Sequence, residues 1–136
     1  MIEYLLTEPA PGLFWVRPLR DLTAHFSIDM FHGIVSAIWE RGSTSCVIDL
    51  RGVECDTSEP ERDWFFATLP ETGLTSEHRI GIVLNPAQPS QAECWGAVAD
   101  AGFCVRTFAD EDAASAWVLS DGECPSYAAG GTEGKP

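Results

Sequence analysis

Three polar side chains with metal-ligand chemistry repeat along one predicted helix. His25, Asp29 and His32 are spaced four and three residues apart, which places them on one helical face. Two imidazoles and a carboxylate are ligands that zinc and other divalent metals accept. The same stripe is also the solvent side of an amphipathic helix, because apolar residues occupy its opposite side. We therefore predict no bound metal and no cofactor, and these three residues are the candidates that a metal would use.

No motif specific for catalysis occurs in the chain. His78 follows Glu77 in a predicted loop, but no Gly-x-Ser-x-Gly elbow supplies it with a nucleophile. Neither a Gly-x-Gly-x-x-Gly fingerprint nor a Walker loop is present. We therefore expect a protein that is not an enzyme. Catalysis would require His78, or the pair His25 and His32, to meet a carboxylate in a cleft.

The five cysteines are widely spaced and include no Cys-x-x-Cys pair, which argues against a structural zinc site. Cys55 lies between Glu54 and Asp56. Neighbouring negative charge raises the pKa of a thiol, so this cysteine is a poor candidate nucleophile. We expect small buried apolar residues at Cys46, Cys94 and Cys104. Cys124 lies near the C-terminus.

The chain is strongly acidic, with 21 acidic residues, eight lysines and arginines and a formal net charge of -13. Such a surface repels phosphate backbones and anionic lipid headgroups, so we expect no nucleic-acid binding. A basic protein or a neutral ligand is compatible with it. The apolar runs are also far shorter than the roughly 20 residues of a spanning helix, so no membrane insertion is expected. The N-terminal residues lack the pattern of a signal peptide, which predicts a cytoplasmic protein.

Short apolar runs alternate with helix-length segments, which predicts an α/β fold with a mixed sheet. Two runs separated by the Pro- and Gly-rich turn at 8–12 predict an antiparallel hairpin. Asp21 is expected to cap a long helix that ends near Arg41. Three parallel strands then each precede a helix, and capping boxes open two of these helices at Ser58 and Ser90. The total is about five strands and four helices in a domain over residues 1–119, followed by a Gly-, Pro- and acid-rich tail at 120–136.

Three segments in this order resemble the SpoIIAA-like group of STAS-type domains. They are the hairpin that leads into the long helix, the run Val47–Val53 and the ending Phe108–Val118. The resemblance covers roughly residues 1–119. It implies an anti-anti-sigma-like fold and a non-catalytic regulatory module that binds a protein partner.

The resemblance also implies a regulatory site after the strand that ends at Asp49. In anti-anti-sigma members a phosphorylated serine starts the following helix, and the matching stretch here is Asp56-Thr57-Ser58. Thr57 and Ser58 are therefore the predicted regulatory residues. The glycine of the family pattern is replaced by Glu59-Pro60, and the acidic residues of this turn would repel a phosphate. The alternative role of Ser58 is a plain helix N-cap.

The segment from Asp49 to Phe66 is the predicted working face. Trp64, Phe65 and Phe66 are consecutive, and three large aromatic side chains on one helix cannot all face one core. We expect this face to bind a protein partner or a second copy of the chain, with Asp56 in the loop and Trp64 and Phe66 as anchors. The alternative is a carrier or sensor of an apolar small molecule or lipid, in a cleft lined by Trp39 and the same three aromatic residues.

Overall fold

A computed structural model of the chain describes residues 3–55 and 57–120. The predicted tail at 120–136, apart from its first residue, lies outside the described residues, and so do Asp56 and Cys124. Five strands form one sheet in the order β1-β2-β3-β4-β5. The first pair is antiparallel and every later pair is parallel. The bounds are β1 Tyr4–Ala10, β2 Leu13–Pro18, β3 Ser45–Asp49, β4 Arg79–Val83 and β5 Cys104–Phe108.

In the part of the chain that the structure describes, four α-helices cover the two faces of the sheet. They are α1 Ala24–Glu40, α2 Glu59–Thr68, α3 Ser90–Asp100 and α4 Glu111–Leu119, with a 3-10 turn at Leu69–Thr72 after α2. The main core lies between the sheet and α1 to α3, and a smaller core lies beneath α4 on the opposite face. This architecture confirms the predicted α/β class, the opening hairpin and the numbers of strands and helices.

The helix α1 buries the apolar stripe that its sequence predicts. Met30, Ile34 and Ile38 are fully buried against the sheet, and His25, Asp29 and His32 are exposed on the other side. The stripe arises because residues four apart fall on one face of a helix. The predicted role of this segment as a long amphipathic helix is therefore confirmed.

The predicted cap of α1 was wrong. Thr23 is the N-cap, and its hydroxyl oxygen accepts a hydrogen bond from the backbone N–H of Phe26 at 3.2 Å. Asp21 instead accepts a bond from the backbone N–H of Glu54 at 3.0 Å. The carboxylate therefore joins the entry of α1 to the segment that follows β3.

Of the two predicted capping boxes, one is formed. Ser58 and Glu61 make the reciprocal pair at the start of α2. The predicted box of Ser90 and Glu93 was wrong, because α3 already includes Ser90 and no side chain caps it. Backbone bonds from Gln91 to Gln88 and from Ala92 to Pro89 tighten this end instead.

A glycine lets α4 approach the sheet closely. A Cβ atom on Gly81 would lie 3.1 Å from Cγ1 of Val118 and 3.5 Å from Cβ of Ala114. The guanidinium of Arg79 lies 4.4 Å from the ring centre of Trp117 on the same face. These contacts fix α4 so that its first residue, Glu111, lies near the end of β3.

Among the described residues, no helix is both long and apolar enough to cross a bilayer.

Candidate functional site

Asp49, the last residue of β3, carries the most elaborate side-chain contacts at the carboxyl edge of the sheet. Its side chain is only 4% exposed. The chain turns directly after the strand, so the side chain of Arg51 folds back over it. Arg51 donates from Nε to Oδ1 at 2.9 Å and from Nη2 to Oδ2 at 2.8 Å. Its backbone N–H also donates to Oδ1 at 3.1 Å. This two-point geometry is the strong form of an arginine–carboxylate pair.

Two further charged residues complete what we call the arginine–aspartate cluster: Arg17, Asp49, Arg51 and Glu111. Arg17 lies in β2, with Nη2 4.0 Å from Oδ2 of Asp49. Glu111 lies at the start of α4, and its Oε2 accepts from Nη2 of Arg51 at 3.1 Å. Two cations and two anions therefore meet where β2, β3 and α4 come together.

Burial raises the pKa of Asp49. The hydrogen bonds from Arg51 and the positive charges of Arg51 and Arg17 together lower this pKa by more than burial raises it. The net result is a pKa below the usual value. The pKa of Arg51 is raised in turn by its hydrogen bond to Asp49. Asp49 is therefore ionised near neutral pH, so it cannot serve there as a general acid. The cluster is suited to holding charges in place.

An open pocket of about 510 Å³ lies against this cluster and is lined by Arg17, Pro18, Leu19, Asp49, Arg51, Gly52 and Val53. Open α/β sheets bind ligands at the carboxyl ends of their strands. Arg17 is the most exposed cation here, with 60% of its side chain accessible. The arrangement could hold a polar group of a partner. The predicted working face includes Asp49 and Arg51 but not Arg17, whose approach to Asp49 depends on the pairing of β2 with β3.

Ser58 makes three hydrogen bonds with Glu61 at the start of α2. Its hydroxyl donates to Oε1 of Glu61 at 2.8 Å, and its backbone N–H donates to the same oxygen at 3.0 Å. The backbone N–H of Glu61 donates back to the Ser58 hydroxyl at 3.4 Å. The backbone bond and then the hydroxyl bond lower the pKa of the Glu61 carboxyl. The residue predicted as a regulatory site therefore also caps the helix.

The three consecutive aromatic residues of α2 point in different directions, as helical geometry requires. Trp64 is 38% exposed, and its ring packs against that of His25 of α1, with centroids 4.3 Å apart and the ring planes tilted by 41°. Phe65 is buried and meets the ring of Trp95 edge-on at 6.2 Å. Phe66 is half-buried beside it. Only Trp64 of the three is exposed.

Trp39 is 73% exposed but lies near the other end of α1. It borders an open groove of about 480 Å³ together with His32 and His78. His25, which packs against Trp64, lies about 21 Å from Trp39 along the axis of α1, at 1.5 Å per residue. The structure therefore does not bring Trp39 and Trp64 into one cleft. The cavity beside Phe65 measures only about 20 Å³.

The histidines have structural contacts. Within residues 3–55 and 57–120, no group of three or more His, Cys, Asp or Glu side chains is placed to hold a metal ion. His25 packs on Trp64. His78 is buried, and its Nδ1 accepts from the backbone N–H of Thr75 at 3.0 Å. Neither histidine meets a carboxylate by a hydrogen bond among these contacts.

Neither models of known protein families nor curated proteins give a match to this chain.

Proposed function

We propose that this chain is a non-catalytic interaction module of SpoIIAA-like type that binds a basic protein partner through α2 and the start of α1. The docking face is defined as His25, Glu59, Glu61, Asp63 and Trp64. The observation that carries the proposal is Trp64, a large aromatic side chain that is 38% exposed and packs at a tilt against the ring of His25. Exposed, pre-positioned tryptophan is the residue type that most often anchors an interface.

Charge complementarity identifies the chemistry of the partner. Glu59, Glu61 and Asp63 are all exposed around Trp64, and Arg62 is the one cation among them on α2. The whole chain carries the same sign, at -13. An acidic rim around an aromatic anchor favours a partner with a basic rim and an apolar pocket, and speeds its association at low salt.

A second copy of the chain is a poorer occupant. In a two-fold dimer the same patch faces itself, so the acidic residues around Trp64 would oppose each other. Carriage of a lipid has less support as well, since the cavity beside Phe65, at about 20 Å³, has room for about one water molecule. A carrier would need α2 and α3 to separate.

Affinity capture with three versions of the chain tests the proposal: the natural sequence, Trp64→Ala and Leu5→Ala. Leu5 is the matched control, because it is 43% exposed but lies on β1. Captured proteins are identified, purified and titrated by calorimetry. We expect Trp64→Ala to weaken binding by about 30-fold or more, Leu5→Ala to leave it unchanged, and added salt to weaken it.

Equal affinities of Trp64→Ala and the natural chain would overturn the proposed face. Native mass spectrometry of the untagged protein separates the alternatives. A monomer carrying an extra small-molecule mass would support the carrier, and a bare dimer would support self-association.

The resemblance extends the proposal to a phosphorylation switch at Thr57 or Ser58. A phosphate on Ser58 would replace a hydroxyl that now contacts Glu61, so it would disrupt the cap of α2 by like-charge repulsion. Incubation with a candidate kinase and a phosphopeptide map test this extension. Unmodified Thr57 and Ser58 would remove the switch without affecting the proposed docking face.

A further inference from the structure

Two cysteines from separate parts of the chain line one small cavity. Cys55 follows β3, and Cys94 lies in α3. Their side chains border the space of about 20 Å³ that Phe65 and Trp95 also line. Both residues are half-buried, and both are free thiols. The fold therefore places at one cavity two cysteines that lie far apart in the sequence.

The backbone around Cys55 is tied to the entry of α3. The N–H of Cys55 donates to Oε1 of Gln88 at 2.7 Å, and Cys55 forms an isolated bridge with Leu22. Gln91, in the first turn of α3, is fully buried and donates to the backbone oxygen of Val53 at 3.2 Å. These bonds hold the segment of Cys55 against the helix that carries Cys94.

Cys94 also influences the Cys55 thiol electrostatically. Burial raises the pKa of Cys55 to about 12, and Cys94 contributes to the shift. Burial raises the pKa of Cys94 as well, but the positive charge of Arg62 opposes that change. Cys94 is therefore the thiol with a cation beside it.

We propose that Cys55 and Cys94 are a reversible redox pair that forms a disulfide when the protein meets a peroxide. The Cys94 thiolate, formed by loss of its proton, attacks hydrogen peroxide, the O–O bond breaks, and a sulfenic acid and one water result. The Cys55 sulfur then attacks the Cys94 sulfur and loses its proton, and the sulfenic oxygen leaves as a second water. This second step is the slow one, because burial makes the Cys55 thiol a poor nucleophile. Two electrons pass from the two sulfur atoms to the peroxide. The inference does not depend on the proposed partner.

The disulfide would tie the segment between β3 and α2 covalently to α3. Thr57, which directly precedes the N-cap of α2, borders the same cavity. Closing a long loop restricts the unfolded chain, so the oxidised protein is expected to melt at a higher temperature than the reduced protein.

Differential alkylation of the full chain tests the pair. The protein is fully reduced, exposed to hydrogen peroxide at pH 8, and alkylated before and after renewed reduction. We expect Cys55 and Cys94 to lose first-round alkylation together, to appear in one cross-linked peptide, and to recover with dithiothreitol. The peptide map separates this product from any that contains Cys104 or Cys124.

Cys46→Ser is the matched control variant, because Cys46 is a free thiol fully buried in β3. It should leave the Cys55–Cys94 product unchanged, and Cys55→Ser should abolish it. If Cys55 and Cys94 both stay alkylatable in the natural chain, or if either joins a different cysteine instead, the pair is excluded.

Discussion

Asp49 and Arg51 are held together by two parallel hydrogen bonds, 2.9 and 2.8 Å long, across the end of β3. The carboxylate is buried and the guanidinium is partly exposed. This pair fixes the turn that leads from the sheet into the segment before α2. The segment that leads to α2 therefore leaves the sheet at an edge that this ion pair holds.

Removing the charge of Asp49 should destabilise the fold. Asp49→Asn would leave Arg51 facing an amide donor, and we expect a loss of about 3 kcal/mol in the free energy of unfolding at pH 7. Urea denaturation measures this free energy of unfolding. Glu111→Gln is the control, since the exposed partner of the same guanidinium should contribute at most about 0.5 kcal/mol. Equal losses for both variants would contradict this assignment.

The same pair predicts an acid dependence of stability. Because the folded pKa of Asp49 lies below its unfolded value, its carboxylate stabilises the fold fully at pH values above the unfolded pKa. That contribution is lost as the pH falls through the folded pKa. The stability difference between the natural chain and Asp49→Asn should therefore shrink in acid. A difference that grows below the unfolded pKa would reverse the assigned direction.

Ser58 should stabilise α2 as its N-cap. We expect Ser58→Ala to cost about 1 kcal/mol because the backbone N–H of Glu61 loses its acceptor. Ser58→Asp should cost less, since aspartate is also a good N-cap. Ser36→Ala, at an exposed position inside α1, is the control and should be close to neutral. Thermal denaturation compares the three, and a neutral Ser58→Ala would exclude the capping role.

Two glycines should respond to alanine with opposite signs. Gly81→Ala would push a methyl group against Val118 at 3.1 Å, so we expect a loss of about 1–3 kcal/mol. Gly96 lies inside α3 with nothing within 4 Å of an added Cβ. Gly96→Ala should therefore stabilise the protein by about 0.5–1 kcal/mol. Chemical denaturation gives both values, and stabilisation by Gly81→Ala would contradict the close packing of α4.

Gln91 should be the critical polar residue that joins α3 to the segment after β3. Its Oε1 accepts from the backbone N–H of Asn85 at 2.9 Å, and its Nε2 donates to Val53 and Gln88. We expect Gln91→Leu to cost about 1–3 kcal/mol, because buried polar groups lose their partners. Glu93→Gln, at an exposed position in the same helix, should be neutral. If the free energy of unfolding of Gln91→Leu equals that of the natural chain, water or neighbouring groups replace these bonds and the predicted role of Gln91 is wrong.

The sequence was enough to predict the class of fold because the information is local. Each apolar strand is bounded by turn residues and followed by a periodic helix, and such units place parallel strands side by side. The stripe of α1 could be predicted for the same reason. The cap of this helix could not, because Asp21 is recruited by the distant backbone of Glu54. No local pattern contains that contact.

The candidate site depended more on tertiary structure. Helical geometry alone required one of the three aromatic residues to face outward, and Trp64 does so. The position of Trp39 could not be predicted, because the sequence does not say which end of α1 meets α2. Arg17 was missed because its approach to Asp49 follows from the register that pairs Val16 with Ile48.

Hydrogen exchange of the chain with its purified partner tests the proposed docking face most directly. We predict that binding slows exchange of backbone amides in the first turn of α1, around His25, and in the first two turns of α2, up to Trp64, and leaves the β1–β2 hairpin unchanged. Slowed exchange confined to the hairpin or to α4, with none in α2, would contradict the proposal.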